Sequence, residues 1–269
     1  MQITEILDLA DHGPDVFVGR GPRYPWGGLY GGQIVAQALR AASATVTDGY
    51  LPHSLRAYFI RSGDHSEPVR YEVDRIRNGR SFCTRRVVAR QAVGAILNLE
   101  ASFHIGEESA SLQTYDMADV PGPDDGLEAD AFLSAFERRF IPGTDAQGRV
   151  RGWFRLNAPI GDDPVLHASA LAYISDDLPT DAVIRAHPIG RRSREQIHET
   201  VFSASLDHTI WFHRPMRADE WHLHDFTCHG FSNGRGLAIG HVYRADGVHA
   251  ATVAQEVLLR EASGTGERH

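Results

Sequence analysis

The chain has 269 residues, 42% hydrophobic and 23% charged, proportions of an ordinary globular protein with room for a large core. Its formal charge of −8 argues against a nucleic-acid binder, which needs a basic face. Two cysteines, Cys83 and Cys228, build neither a disulfide framework nor a four-cysteine zinc site, and the complete absence of lysine removes Schiff-base chemistry and the Gly-Lys-Ser/Thr phosphate loop. The acidic opening MQITEILDLADHG lacks the apolar stretch of a signal peptide, and no apolar run is long enough to cross a bilayer. A cytoplasmic protein without membrane insertion is expected. No G-x-S-x-G nucleophile elbow occurs.

In chain order, Ile3, Ile6, Leu7 and Ala10 predict a short amphipathic helix. A Gly- and aromatic-rich stretch, GRGPRYPWGGLYGG (19–32), then leads into a helix marked by Ile34, Val35, Ala38, Leu39 and Ala42. The Gly31-Gly32 pair that opens it leaves bare N–H groups at a positive dipole end, where a carbonyl oxygen or phosphate can sit. Close helix packing that only glycine permits explains the pair equally well. From Leu51 to Gly106 the pattern becomes strand-like, with Val69, Tyr71 and Val73, and later Leu97, Leu99, Ala101 and Phe103, alternating with polar residues. Asn78-Gly79 between such runs signals a hairpin.

Residues 107–128 lose periodicity and gather acidic, Gly and Pro residues, as a linker does. A short helix around Phe132, Leu133 and Phe136 and a strand through Phe140 follow. The stretch GDDPVLHASALAYISDD (161–177) then predicts a second helix, capped by Asp163 with Pro164 at the first position and stopped with help from Pro179. Small residues on several of its faces point to close wrapping by other structure. Asp176 at its far end faces the negative end of the helix dipole, which disfavours the charged carboxylate. That makes Asp176 a candidate catalytic group, against the plainer reading of a solvated acidic helix end. Strands return from Phe202 to Leu259.

The two strand regions match each other. Asn78-Gly79-Arg80 recurs as Asn233-Gly234-Arg235, an offset of 155 (233 − 78), which also sets His53 on His208 and Glu100 on Gln255. The chain therefore reads as an α+β protein of two tandem halves, 1–106 and 129–262, each a helix with an antiparallel sheet. They are joined by the linker 107–128 and followed by a disordered tail, 263–269. Of the fifteen histidines, His222 and His224 alternate on one strand face, with His208, His213, His229, His241 and His249 nearby in sequence. A polar sheet face or core hydrogen bonds explain them better than a metal, and none is expected.

Six segments, YGGQIVAQAL (30–39), HSLRAYFIRSGD (53–64), NGRSFCTRRVVARQ (78–91), LAYISD (171–176), SLDHTIWFHRP (205–215) and ATVAQEVLLR (251–260), resemble in order the acyl-CoA thioesterase II family. The resemblance implies a double hotdog, in which each half wraps a curved antiparallel sheet around a long helix. It implies hydrolysis of fatty acyl-CoA by a water activated at an Asp/Ser/Gln trio, carried over as Asp176, Ser205 and Gln255, with Asp177 and Asp207 as rival acids. Gly31 and Gly32 are then candidates for binding the thioester oxygen. Coenzyme A enters with the substrate, so no cofactor is expected, and a homo-oligomer is. The first half, with Glu100 and Tyr50 aligned to Gln255 and Ser205, reads as a copy without its own site. Ser62 and Val257 depart from the family's usual Pro and Gly, away from the trio. A non-catalytic acyl-CoA binder and an enoyl-CoA hydratase-type hotdog enzyme are the alternatives.

Overall fold

The computed structural model of the chain describes residues 1–130, 133–143 and 148–261, so the tail expected at 263–269 lies outside it. The first half contains α1 (Ile3–Ile6), β1 (Ala10–Asp11), β2 (Val16–Gly19), α2 (Gly31–Ser43), β3 (Tyr50–Phe59), β4 (Val69–Asn78), β5 (Phe82–Gln91) and β6 (Gly94–Ile105). The second contains β7 (Ala129–Asp130), β8 (Phe136–Phe140), β9 (Arg149–Leu156), α3 (Pro164–Ile174), α4 (Pro179–Ala186), a 3-10 turn (Pro188–Arg191), α5 (Arg194–Thr200), β10 (Val201–Ser205), β11 (Asp207–Phe212), β12 (His222–Ser232), β13 (Arg235–Arg244) and β14 (His249–Glu261).

All described strands join one antiparallel sheet, continuous through the pairing of β3 with β11. Outward from that junction, β3-β6-β5-β4-β2 on one side is matched by β11-β14-β13-β12-β9 on the other. This is the double hotdog, with α2 and α3 as its two central helices. Leu39, Leu99, Phe103, Ile174, Phe226 and Val253 are among the residues of the core between helices and sheet. In α3 the Asp163 carboxylate accepts the Val165 N–H at 2.9 Å, and His167 and Ser169 to Ile174 are buried, as close wrapping requires. Pro179 does not end α3; it starts α4, where a missing N–H costs nothing.

Three other expectations change. The opening helix covers only Ile3–Ile6, with Ala10 already in β1. Phe132 lies outside the described residues, Leu133 is outside any helix, and Phe136 belongs to β8. The cause is Arg138, an inward residue that is buried and charged and so hides the strand's alternation. The duplication is real in architecture but slips in register. Asn233 (φ 50°) and Gly234 (φ 74°) form a tight two-residue turn, whereas Asn78 pairs with Cys83 around a longer loop. A strand's side-chain period is two, so a one-residue slip reverses a face. Glu100 indeed points outward, and its inward neighbours are Leu99 and Ala101. The first half therefore carries no polar group at the place of Gln255.

Residues 107–128 form no helix or strand, yet they are strapped to the outer face of the second half's sheet. Met117, Val120 and Leu127 pack on Ile141, Trp153, Leu223 and Tyr243, and Trp153 Nε1 donates to the Pro121 carbonyl at 2.8 Å.

Candidate active site

The two central helices pack side by side and antiparallel, with the C-terminus of α3 against the N-terminus of α2 and, at the other end, the α3 cap Asp163 3.5 Å from Arg40 in the last turn of α2. Their approach depends on glycine. A Cβ on Gly32 would stand 2.3 Å from the Tyr173 carbonyl oxygen, and one on Gly31 would stand 2.6 Å from Asp176 Oδ2. The close packing carries Asp176, just past the α3 cap Ser175, to the α2 N-terminus. There the Gly32 N–H donates to Asp176 Oδ2 at 2.8 Å. The packing reading of the glycine pair therefore holds. The anion at the helix start is the protein's own carboxylate, so the Gly32 amide is already engaged.

The sheet supplies the remaining groups. Ser205 lies opposite Val257, and Thr209 lies opposite Ala254, so four steps on one strand match three on the other. This bulge at Leu206 lets both Ser205 and His208 face inward despite their odd separation. Asp207 accepts the Glu256 N–H at 2.7 Å at the same irregularity, a structural duty for that rival acid. Ser205 Oγ donates to Asp176 Oδ1 at 3.1 Å, and Gln255 Nε2 donates to Ser205 Oγ at 2.8 Å. Asp176, Ser205 and Gln255, from three separate segments of the sequence, therefore form one connected group. Tyr50 does not join it; its hydroxyl bonds the Gly79 and Arg80 carbonyls at the other end of the first half.

Asp176 is 7% exposed and Gln255 fully buried. Burial pushes the Asp176 carboxyl from 3.8 up to about 6, and the polar hydrogens of Gln255, Ser205 and Gly32 offset part of that rise. The upward shift expected from the α3 dipole thus has burial as its main cause. A carboxyl poised near 6 is a competent general base at neutral pH. Asp177 is also raised to about 6 by burial, but it faces the buried Arg138 guanidinium at 2.6 Å and acts as an anchor. Tyr30, the residue before α2, is buried beside these carboxyls, and its hydroxyl has no hydrogen-bond partner among the described residues.

One close member of the network was not singled out from sequence. His208 is completely buried, its Nδ1 2.5 Å from Gln255 Oε1 and its Nε2 2.9 Å from Ser175 Oγ. Its shared face with Ile210 was readable from alternation, but its partners were not. His53, aligned to it at the offset of 155, instead reaches Ser102 at 2.8 Å. His222 and His224 are buried side by side, with ring centroids 5.1 Å apart. Burial holds the first down at about 4 and the second well below its ordinary value. Cys83 and Cys228 are free thiols.

Comparison with known proteins converges on one family. Profiles of the acyl-CoA thioesterase N-terminal and C-terminal domains match residues 21–104 and 113–259. The chain is 32% identical to human acyl-coenzyme A thioesterase 8, over 96% of this chain and 88% of that one. It is 31% identical to acyl-CoA thioesterase 2 of Haemophilus influenzae, over 96% of each. Among solved structures, an acyl-CoA thioesterase II from Mycobacterium marinum superposes with a TM-score of 0.84 at 36% identity, covering 98% of this chain and 99% of that one. A hot dog fold protein from Alicyclobacillus acidocaldarius, 23% identical over 96% and 97% of the two chains, shares the fold with a TM-score of 0.79. With both domain profiles matched in order on a double hotdog, the chain belongs to the acyl-CoA thioesterase II family.

Proposed function

We propose that this protein hydrolyses fatty acyl-CoA to a free fatty acid and coenzyme A, with Asp176 as the base. The observation that carries the reading is a buried carboxyl, raised to about 6, held between the Gly32 amide and the Ser205 hydroxyl with Gln255 behind it. The chain's similarity to the human and Haemophilus influenzae acyl-CoA thioesterases supports the reaction class.

A water held against Asp176 and the polar edge of Ser205 and Gln255 gives its proton to the carboxylate as its oxygen attacks the thioester carbon. Negative charge then develops on the carbonyl oxygen. Two donors remain for it: the Gly31 amide, which has no intrahelical acceptor at the first position of α2, and the Tyr30 hydroxyl. Collapse of the tetrahedral intermediate breaks the C–S bond, and the proton held by Asp176 neutralises the departing thiolate. No cofactor takes part, since coenzyme A arrives as part of the substrate.

Both Asp176 oxygens accept hydrogen bonds, which hold the carboxylate in one orientation; the base role is the version proposed, and direct attack to a mixed anhydride is its rival. Single turnover in oxygen-18 water separates the two: label in the released acid but none in the enzyme is expected, and label in Asp176 would establish the anhydride. The same reading carries a cytoplasmic homo-oligomer, supported by the family resemblance. No helix of the described residues is long and apolar enough to cross a membrane. Release of free coenzyme A from a chain-length series of acyl-CoAs tests the function. A binder gives none, and a hydratase consumes enoyl-CoA without releasing thiol.

A further inference from the structure

We infer that His208 is a positioning residue for hydrolysis, fixing the orientation of the Gln255 amide and, through it, directing the Ser205 proton onto Asp176. The inference rests on the assignment of Asp176, Ser205 and Gln255 as the reacting group. It starts from acceptor and donor accounting. His208 is fully buried on β11, and burial holds its imidazole down at about 4, so it is neutral and carries one ring proton. Nδ1 faces Gln255 Oε1 at 2.5 Å, and an amide oxygen only accepts, so the proton is on Nδ1. Nε2 is then an acceptor, met by Ser175 Oγ at 2.9 Å, a shorter approach than that of the same hydroxyl to the Ala172 carbonyl at 3.2 Å, so the Ser175 proton is assigned to Nε2.

With the amide oxygen tied to His208, the amide nitrogen must face Ser205, and it does so at 2.8 Å. Ser205 Oγ accepts there, which leaves its own proton for Asp176 Oδ1 at 3.1 Å. Every donor from Ser175 to Asp176 thus points the same way, toward the carboxylate. Were the amide reversed, its NH2 would confront the Nδ1 proton and its oxygen would attract the Ser205 proton away from Asp176. Sequence alignment of His208 with His53 hid this role, because His53 serves a different face of the sheet.

The network begins and ends on neighbouring residues. Ser175 caps α3 and Asp176 follows it, so the chain of bonds closes a ring between helix and sheet. His208 therefore acts on the carboxylate from a distance, through Gln255 and Ser205, without touching it. Its loss is expected to act on kcat and on the ionisation of Asp176 more than on substrate affinity.

The test uses the full-length protein. Nitrogen-15 spectra of the wild-type imidazoles, assigned with a His208→Asn variant, should show His208 neutral with the proton on Nδ1; the Nε2 tautomer or a charged ring would overturn the inference. In kinetics, His208→Phe removes the donor while keeping a buried ring. It should lower kcat roughly 10- to 100-fold, the range for losing one oriented hydrogen bond to a charged group. KM should stay within about twofold, and the acid limb of kcat/KM should move to higher pH as Asp176 loses a donor. His208→Asn, which can still offer an N–H toward Gln255, should recover a substantial part of kcat. If His208→Phe keeps kcat within about twofold with an unmoved acid limb, or if His208→Asn is as impaired as His208→Phe, the inference fails. Asp176→Asn, measured in parallel, keeps the two levels distinct: its inactivity with an unaffected His208→Phe rejects only the positioning role, whereas its full activity rejects the site itself.

Discussion

Asp176→Asn gives a thermodynamic test of the site that needs no substrate. Burial raises the Asp176 carboxyl from 3.8 to about 6 in the folded protein, so the folded state holds this proton more tightly than the unfolded chain. Below the unfolded value both states are protonated and the residue adds no penalty. As pH rises through the interval toward the folded value, the unfolded state ionises first and the native protein loses stability, until above the folded value the loss is complete. At about 1.4 kcal/mol for each pH unit of difference, the full loss is about 3 kcal/mol, of which about 2 kcal/mol falls between pH 4.5 and 8. Asparagine has no such ionisation. Urea unfolding of both proteins at the two pH values isolates the group, because other titrations cancel in the difference. The variant's stability relative to wild type should improve by about 2 kcal/mol from pH 4.5 to 8. A difference that stays constant with pH, or moves the other way, refutes a carboxyl raised by burial.

The remaining predictions concern the groups that hold this carboxyl. Ser205→Ala removes a donor to the charged form, so the acid limb of kcat/KM should move up by about one pH unit, with activity partly restored at alkaline pH; a uniform loss at all pH values would show that Ser205 does not bond the anion. Gly32→Ala places a methyl against the Tyr173 carbonyl, and overpacking should destabilise by roughly 1–3 kcal/mol in denaturant melts with strong loss of activity; a wild-type melt would mean the helix ends do not meet this closely. Tyr30→Phe removes a hydroxyl that has no partner among the described residues, so stability should hold while kcat drops about tenfold if it donates to the oxyanion. Unchanged kcat leaves that duty to the Gly31 amide.

Much of the fold was legible because its signals are local. The Asp163-Pro164 start of α3, the small residues around it and the Asn233-Gly234 turn each identify a conformation by short-range chemistry. Failures arose where long-range packing reversed a local signal. Arg138 hides the alternation of β8 because nothing nearby in sequence announces its buried partner Asp177, 39 positions on. Pro179 read as a stop because its place at the head of α4 depends on the turn at Asp176-Asp177. The offset of 155 paired Glu100 with Gln255 because the two halves close their hairpins differently, and one residue is enough to turn a strand over.

The site divides in the same way. Asp176, Ser205 and Gln255 were reachable through the motifs that contain them, whereas the bond linking His208 to Gln255 joins β11 to β14 and has no trace along either strand alone. The glycine pair was recognised as a helix start able to hold an anion. That the anion is Asp176 itself follows only from the meeting of α2 with α3, 144 positions apart in the chain.

The most direct measurement of the central claim is release of free coenzyme A from a panel of acyl-CoAs of increasing chain length, with wild type beside Asp176→Asn. Wild type should turn over at least one member of the panel, and the variant should bind the same acyl-CoA with little change while losing turnover by orders of magnitude. Undiminished coenzyme A release by a folded Asp176→Asn protein would contradict Asp176 as the base.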